Sequence, residues 1–218
     1  MSVQEASANV LTSLQAIPTS ELPDDLMLRR ISVAEYHEMI RAGILKSGDP
    51  IELLEGWLVQ KMAKNPAHRI ATNKLAQQLN QLIVSDWHVQ QQDPITLSDG
   101  EPEPDLAIIR GDTEDYIENH PGPSDVAIVI EVSDATINRD QGTKKRTYAQ
   151  NGIVEYWIVN LIENRVEVYK DPSSTGQRAN YQSKVDYKAQ ERLPVILEGR
   201  VIGEILVSDI LPKLKKQD

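Results

Sequence analysis

Cysteine and phenylalanine are both missing from this chain of 218 residues. Without cysteine there is no disulfide and no thiolate metal site, which suits a reducing, cytoplasmic setting. Aromatic residues make up only 5% of the chain, so the core has to be built mainly from Leu, Ile, Val and Ala. No apolar run approaches the roughly 20 residues of a membrane span. Met1 to Thr19 has neither the basic start nor the continuous apolar stretch of a signal peptide, so no membrane partner is expected. An excess of positive charge is also lacking: 23 Lys and Arg against 33 Asp and Glu leave a net charge of −10. That argues against non-specific coating of nucleic acid, which needs a basic surface. It leaves room for an enzyme that cuts nucleic acid, because such a site gathers carboxylates around a cation while a local basic patch steers the substrate.

Hydrophobic residues are 40% of the chain, enough for a real core in a single domain. Residues 1–28, punctuated by Pro18 and Pro23, read as a disordered arm, residues 29–212 as one domain, and residues 213–218 as a charged tail. Ser32-Val33-Ala34-Glu35 has the spacing of a capping box and should open a helix that Gly43 stops. Residues 51–62 read as two short strands turning at Glu55-Gly56. Asn65 caps the next helix, with Pro66 at its first position, and apolar residues recur at helical spacing to about Ser85. Strands are expected over His88 to Leu97, Asp105 to Arg110 and Asp125 to Val132, the continuous apolar runs implying burial on both faces. A helix follows over Arg139 to Gln150, then a buried strand from Glu155 to Val159, a turn at Glu163-Asn164, a strand from Arg165 to Lys170, a polar loop over 171–180 and a β-rich tail. This order describes an α/β (α+β) fold, a mixed sheet flanked by helices, with an N-terminal helix and β-hairpin and a C-terminal β-rich extension.

Asp105 stands at the start of one core strand and Glu131 near the end of the next. Two strand-borne carboxylates near one sheet edge can chelate a hard cation such as Mg²⁺ through oxygen, and a charge within an apolar strand is costly unless it is paired. Lys144 lies in the following helix, where an ammonium beside the carboxylates can position water or offset charge on a phosphate. Arg139, Lys144, Lys145 and Arg146 form a local basic cluster, and Asp93, Glu101 and Glu103 crowd the approach to Asp105. Asp140, Lys144 and Tyr148 share a helical stripe at four-residue spacing. His68 faces inward with Ala71, Leu75 and Leu79; it is either a satisfied core histidine or a group that touches phosphate or supports the metal. A further acidic ligand can come from Glu55 or from Glu52.

Taken together, Glu52-Leu53-Leu54-Glu55-Gly56, His68, Glu103-Pro104-Asp105-Leu106, Ile130-Glu131-Val132-Ser133, Asp140 through Lys144 to Tyr148, and Gly152 through Val159 resemble the PD-(D/E)XK nuclease superfamily. More closely, they resemble a bacterial family of restriction-endonuclease-like proteins first grouped as a domain of unknown function. The resemblance covers roughly residues 30–212. It implies a restriction-endonuclease-like core and a Mg²⁺- or Mn²⁺-dependent endonuclease acting on nucleic acid, most readily DNA. Asp105, Glu131 and Glu55 would be metal ligands, with Lys144 and His68 completing the catalytic set. The superfamily usually carries its lysine two residues after the glutamate, but Ser133 stands there, and the resemblance implies that the lysine has moved to Lys144. An acidic residue before the glycine favours Glu55 over Glu52. A homodimer would suit cleavage of both strands of a duplex. The competing classes are a non-catalytic nucleic-acid-binding module and an interaction or assembly protein that keeps the fold.

Overall fold

The computed structural model describes residues 20, 22, 25–46, 48–83, 86–173 and 178–213; the expected arm and tail fall largely outside them. Helix α1 spans Val33–Arg41. Ser32 Oγ accepts from the Glu35 amide while the Glu35 carboxylate accepts from the Ser32 amide, so the expected capping box forms. Strands β1 (Ile51–Leu54) and β2 (Trp57–Gln60) form the hairpin. Its two turn residues, Glu55 and Gly56, have φ of 50° and 80°, the left-handed pair that a two-residue hairpin of matching twist requires. Helix α2 (Pro66–Leu82) starts with Asn65 accepting from the His68 amide. It stops at Ile83, whose backbone is extended, short of the expected Ser85.

A six-stranded sheet forms the centre, in the order β3-β4-β5-β6-β7-β8: Trp87–Gln90, Leu106–Arg110, Val126–Ser133, Glu155–Asn160, Arg165–Ser173 and Asn180–Lys188. Among the described strands only β5 and β6 run parallel, and helix α3, residues 137–150, bridges them, as a parallel pair requires. The fold is therefore the expected mixed sheet flanked by helices. β3 is shorter than the His88–Leu97 run suggested. Gln92 adopts a φ of 59°, and Pro94 has no amide to give a ladder. Beyond them Ile95 and Leu97 are buried as irregular chain. β7 extends to Ser173, into the segment read as a polar loop.

Alternation along the strands divides the core. Leu106, Ile108, Ile128, Ile130, Trp157 and Val159 face α2 and the hairpin of β9 (Arg192–Leu197) and β10 (Arg200–Leu206). A short helix, α4 (Val207–Ile210), closes that side. Ala107, Ile109, Val129, Tyr156 and Ile158 face α3. α3 is composite: an α-helical turn (Ile137–Arg139), a π-helical stretch (Asp140–Lys144) and an α-helical stretch (Lys145–Gln150). π-helical insertions are rare and concentrate at functional sites. This one carries Lys144.

Candidate active site

A cleft opens where the ends of β4 and β5, the start of α2, the β1–β2 hairpin and α3 meet. It is lined by Glu52, His68, Asp105, Glu131, Asp140 and Lys144, with Lys61, Lys64, Glu103, Asp134 and Arg139 around them. Its volume is about 80 Å³, room for several waters.

Asp105 immediately precedes β4 and is buried. Its Oδ2 accepts from the Val132 amide on β5 and bonds to His68 Nε2, both at 2.9 Å. Lys64 Nζ lies 3.2 Å from Oδ1. Burial alone would raise this carboxyl, but His68, Lys64 and the Val132 amide outweigh it and hold it below the usual aspartate value. Because Val132 follows Glu131, the same contact brings the two strand-borne carboxylates together.

Glu131 is also buried, and its Oε1 accepts from Lys144 Nζ at 2.9 Å and from the Tyr148 hydroxyl at 2.7 Å. Burial pushes its carboxyl up to about 8; Lys144 opposes the rise, and the charges of Asp105 and Asp140 add to it. Lys144 Nζ also stands 3.4 Å from Glu52 Oε2. Burial would depress the ammonium, but Glu131, Glu52 and Asp140 more than offset that and keep it above the ordinary lysine value. Lys144 is therefore a fixed positive charge, suited to stabilising negative charge rather than to accepting a proton. Asp140 accepts from Ser133 Oγ and Thr136 Oγ1 at 2.5 and 2.6 Å and lines the cleft near Lys144 without bonding to it. The expected Asp140–Lys144–Tyr148 stripe is thus split by the wide π turn: Asp140 ties to the end of β5, while Lys144 and Tyr148 converge on Glu131.

Three expected placements change. Glu55 does not reach the cleft. At the hairpin turn its carboxylate takes a two-pronged bond from Arg146, at 2.7 and 2.8 Å, and a contact from Thr147 Oγ1 at 3.3 Å. Glu52, on the strand itself, is the hairpin carboxylate that lines the cleft. The basic cluster also divides. Arg139 and Lys144 face the cleft, Arg146 is held by Glu55, and Lys145 sits over the Tyr169 ring at 5.1 Å. Of the acidic residues expected near Asp105, Glu103 lines the cleft and holds Lys61, whereas Glu101 pairs with His37 and Asp93 lines a separate groove.

The residues suit a hard divalent cation. Glu131 Oε2 has no hydrogen-bond partner among the described residues. No described side-chain oxygen is both buried and unpartnered, so Oε2 opens on the cleft. Among the described residues Oδ1 of Asp105 is held only by Lys64, whose side chain is part exposed. Six carboxyl groups and four Lys or Arg side chains line the cleft, and burial raises two of the acids, Glu131 and Asp140; a bound cation would favour their ionised form. Among the described residues no three His, Asp or Glu side chains converge as a ready ligand shell. Mg²⁺ does not need one, because it binds through one or two carboxylates and keeps several waters.

Over residues 33–201 the sequence matches the family Uma2, described as "Putative restriction endonuclease". The chain belongs to the Uma2 family. Among solved structures it is similar to a putative nuclease belonging to DUF820 from Anabaena variabilis ATCC 29413, with a TM-score of 0.61 and 15% identity over 83% of this chain and 97% of that one. At that identity the likeness is one of fold. No curated protein matches the sequence. Among the charged cleft residues of this Uma2 protein, sequence reasoning missed Lys61, Asp134 and Lys64, and Lys64 is the one that reaches Asp105. Nothing in Lys61-Met62-Ala63-Lys64-Asn65 marks it, and only the folded position of α2 against Asp105 does. Glu52 had a usable signal, a lone carboxylate in an otherwise apolar strand.

Proposed function

We propose that the cleft is the active site of a divalent-metal-dependent endonuclease that hydrolyses phosphodiester bonds in DNA. The observation that carries this reading is the convergence of Asp105, Glu131 and Lys144 in one cleft, with one carboxylate oxygen on each acid left for a cation. Asp105 and Glu131 would hold Mg²⁺ or Mn²⁺, which when bound polarises the scissile phosphate and lowers the pKa of water. Glu52 supplies further negative charge beside Lys144, in place of Glu55. Lys144, fixed between Glu131 and Glu52, offsets charge developing on the phosphate and orients the attacking water by donation. His68, bonded to Asp105 and 3.4 Å from Thr72 Oγ1 through Nδ1, holds the Asp105 carboxylate in place. A cytoplasmic homodimer would present two such clefts to the two strands of a duplex.

One observation favours a second reading, an assembly protein that keeps the fold: the buried carboxylates already have cationic partners. Fixed ion pairs of this kind are weak evidence for stability but costly to break. The test is incubation of the purified protein with supercoiled plasmid, single-stranded DNA and RNA, in Mg²⁺, Mn²⁺ and EDTA. Asp105→Asn and Lys144→Met run beside it, with folding checked by circular dichroism. Metal-dependent nicking of DNA, lost in both folded variants, is the expected result. No cutting of any substrate in either metal sinks the endonuclease reading, and cutting of RNA alone overturns the DNA assignment.

A further inference from the structure

Lys64 differs from the other cations of the cleft. Lys61 is fixed by both oxygens of Glu103 at 2.8 Å. Arg139 donates to the Gln60 carbonyl at 3.1 Å, which ties α3 to the hairpin. Lys144 is clasped by Glu131 and Glu52 with its side chain 8% exposed. Lys64 has one partner among the described residues, Asp105 Oδ1, at a loose 3.2 Å, and its side chain is 41% exposed on the rim. That oxygen is one of the two that the proposed function gives to a divalent cation. Lys64 therefore occupies the place of positive charge in the metal-free protein, and a cation taking Oδ1 would release an ammonium at the mouth of the cleft, where a polymeric substrate has to lie.

We propose that Lys64 exchanges between two partners: Asp105 when the cleft is free of metal, and a backbone phosphate of the nucleic acid once a divalent cation holds Asp105. It would thus be a substrate-binding residue whose availability is coupled to metal loading. The inference rests on the proposed function of the same cleft. It involves no covalent step and no change of protonation, since the ammonium only changes its anion.

The exchange makes two predictions of opposite sign for Lys64→Met, a substitution on an exposed stem that keeps most of the side-chain volume. Removing the competing ammonium should tighten Mn²⁺ binding in calorimetry by up to about fivefold, the range of a part-exposed ion pair. Removing one phosphate contact should weaken binding of a short DNA duplex, measured in Ca²⁺, and make the plot of log affinity against log salt shallower by about 0.9. Lys64→Arg should restore the salt slope. If either the Mn²⁺ affinity or the salt slope of Lys64→Met equals that of the wild type, the exchange is overturned while the endonuclease reading stands. If the wild type binds neither Mn²⁺ nor DNA, both fall together.

Discussion

Lys144 reaches two buried carboxyl groups at once in the metal-free protein, Glu131 at 2.9 Å and Glu52 at 3.4 Å. Lys144→Met would leave Glu131 without its cation and Glu52 with Arg139 alone, at 3.9 Å, and breaking a buried pair by removing one partner costs about 3–5 kcal/mol. Urea unfolding in EDTA should show a loss of that order. Addition of Mn²⁺ should recover part of it, because a cation bound only by the folded state stabilises it by mass action. A loss of similar size that Mn²⁺ leaves untouched would mean that the carboxylates serve Lys144 and not a metal. Asp105 and Glu131 stood out in the sequence for a physical reason: charges set at the ends of apolar strands are costly unless something compensates them, whereas Lys144, on a helix, was singled out through the family resemblance. Lys64 was not legible, since a lysine in a polar loop carries no such signature. Which of Glu52 and Glu55 lines the cleft was not legible, because it depends on the left-handed turn at Glu55-Gly56, which swings the turn carboxylate toward Arg146.

At the scale of elements, the Glu55–Arg146 contact fastens the hairpin to α3. Glu55→Gln should therefore lower stability by about 1.5–3 kcal/mol, the range for charge-assisted hydrogen bonds, and leave Mn²⁺ affinity unchanged. Glu52→Gln should change that affinity. Calorimetry and denaturant melts on both variants check the pair. The π-helical stretch is anchored from the other side by Gln141, whose amide donates to both oxygens of Glu167 on β7. Glu167 is fully buried and also takes bonds from Tyr169, Asn160, Arg165 and Lys184. Burial would raise its carboxyl, but Tyr169, Asn160 and Lys184 outweigh it and hold it at about 2, below the ordinary 4.5. A carboxyl depressed by folding stabilises the fold fully above its unfolded value, and that contribution is lost as pH falls from about 4.5 through about 2. It is worth about 3 kcal/mol at neutral pH. Glu167→Gln should therefore flatten the acid limb of the stability curve in that window, and a limb as steep as the wild type would contradict the assignment. Apolar runs revealed β4, β5 and β6, and capping residues revealed α1 and α2. The π turn was hidden, because Asp140 to Lys144 reads as ordinary helix, and only the fold shows Ser133 and Thr136 holding Asp140.

Over the whole molecule, the net charge of −10 and the confinement of cleft cations to a few side chains limit how the protein can grip nucleic acid. Lys61, Lys64 and Arg139 are the rim cations of the cleft. At about 0.9 counterions released per phosphate contact, the log affinity for duplex DNA should fall with log salt at a slope no steeper than about −3. A much steeper slope would require a basic surface elsewhere, on a second copy or a partner. Among the described residues no helix is long and apolar enough to cross a membrane. The mixed sheet and its flanking helices followed from the order of apolar runs, but the two faces of the sheet did not. Runs buried on both sides carry no alternation to say which face meets α2 and which meets α3.

The most direct test of the central claim, that Asp105 and Glu131 form a divalent-metal site, is calorimetric titration of Mn²⁺ into the wild type, Asp105→Asn and Glu55→Gln. Asparagine keeps an oxygen to accept the Val132 amide but removes the charge. The account predicts saturable binding in the wild type and in Glu55→Gln, and its loss in a folded Asp105→Asn. Binding that survives in Asp105→Asn, or that is absent from the wild type, would contradict it.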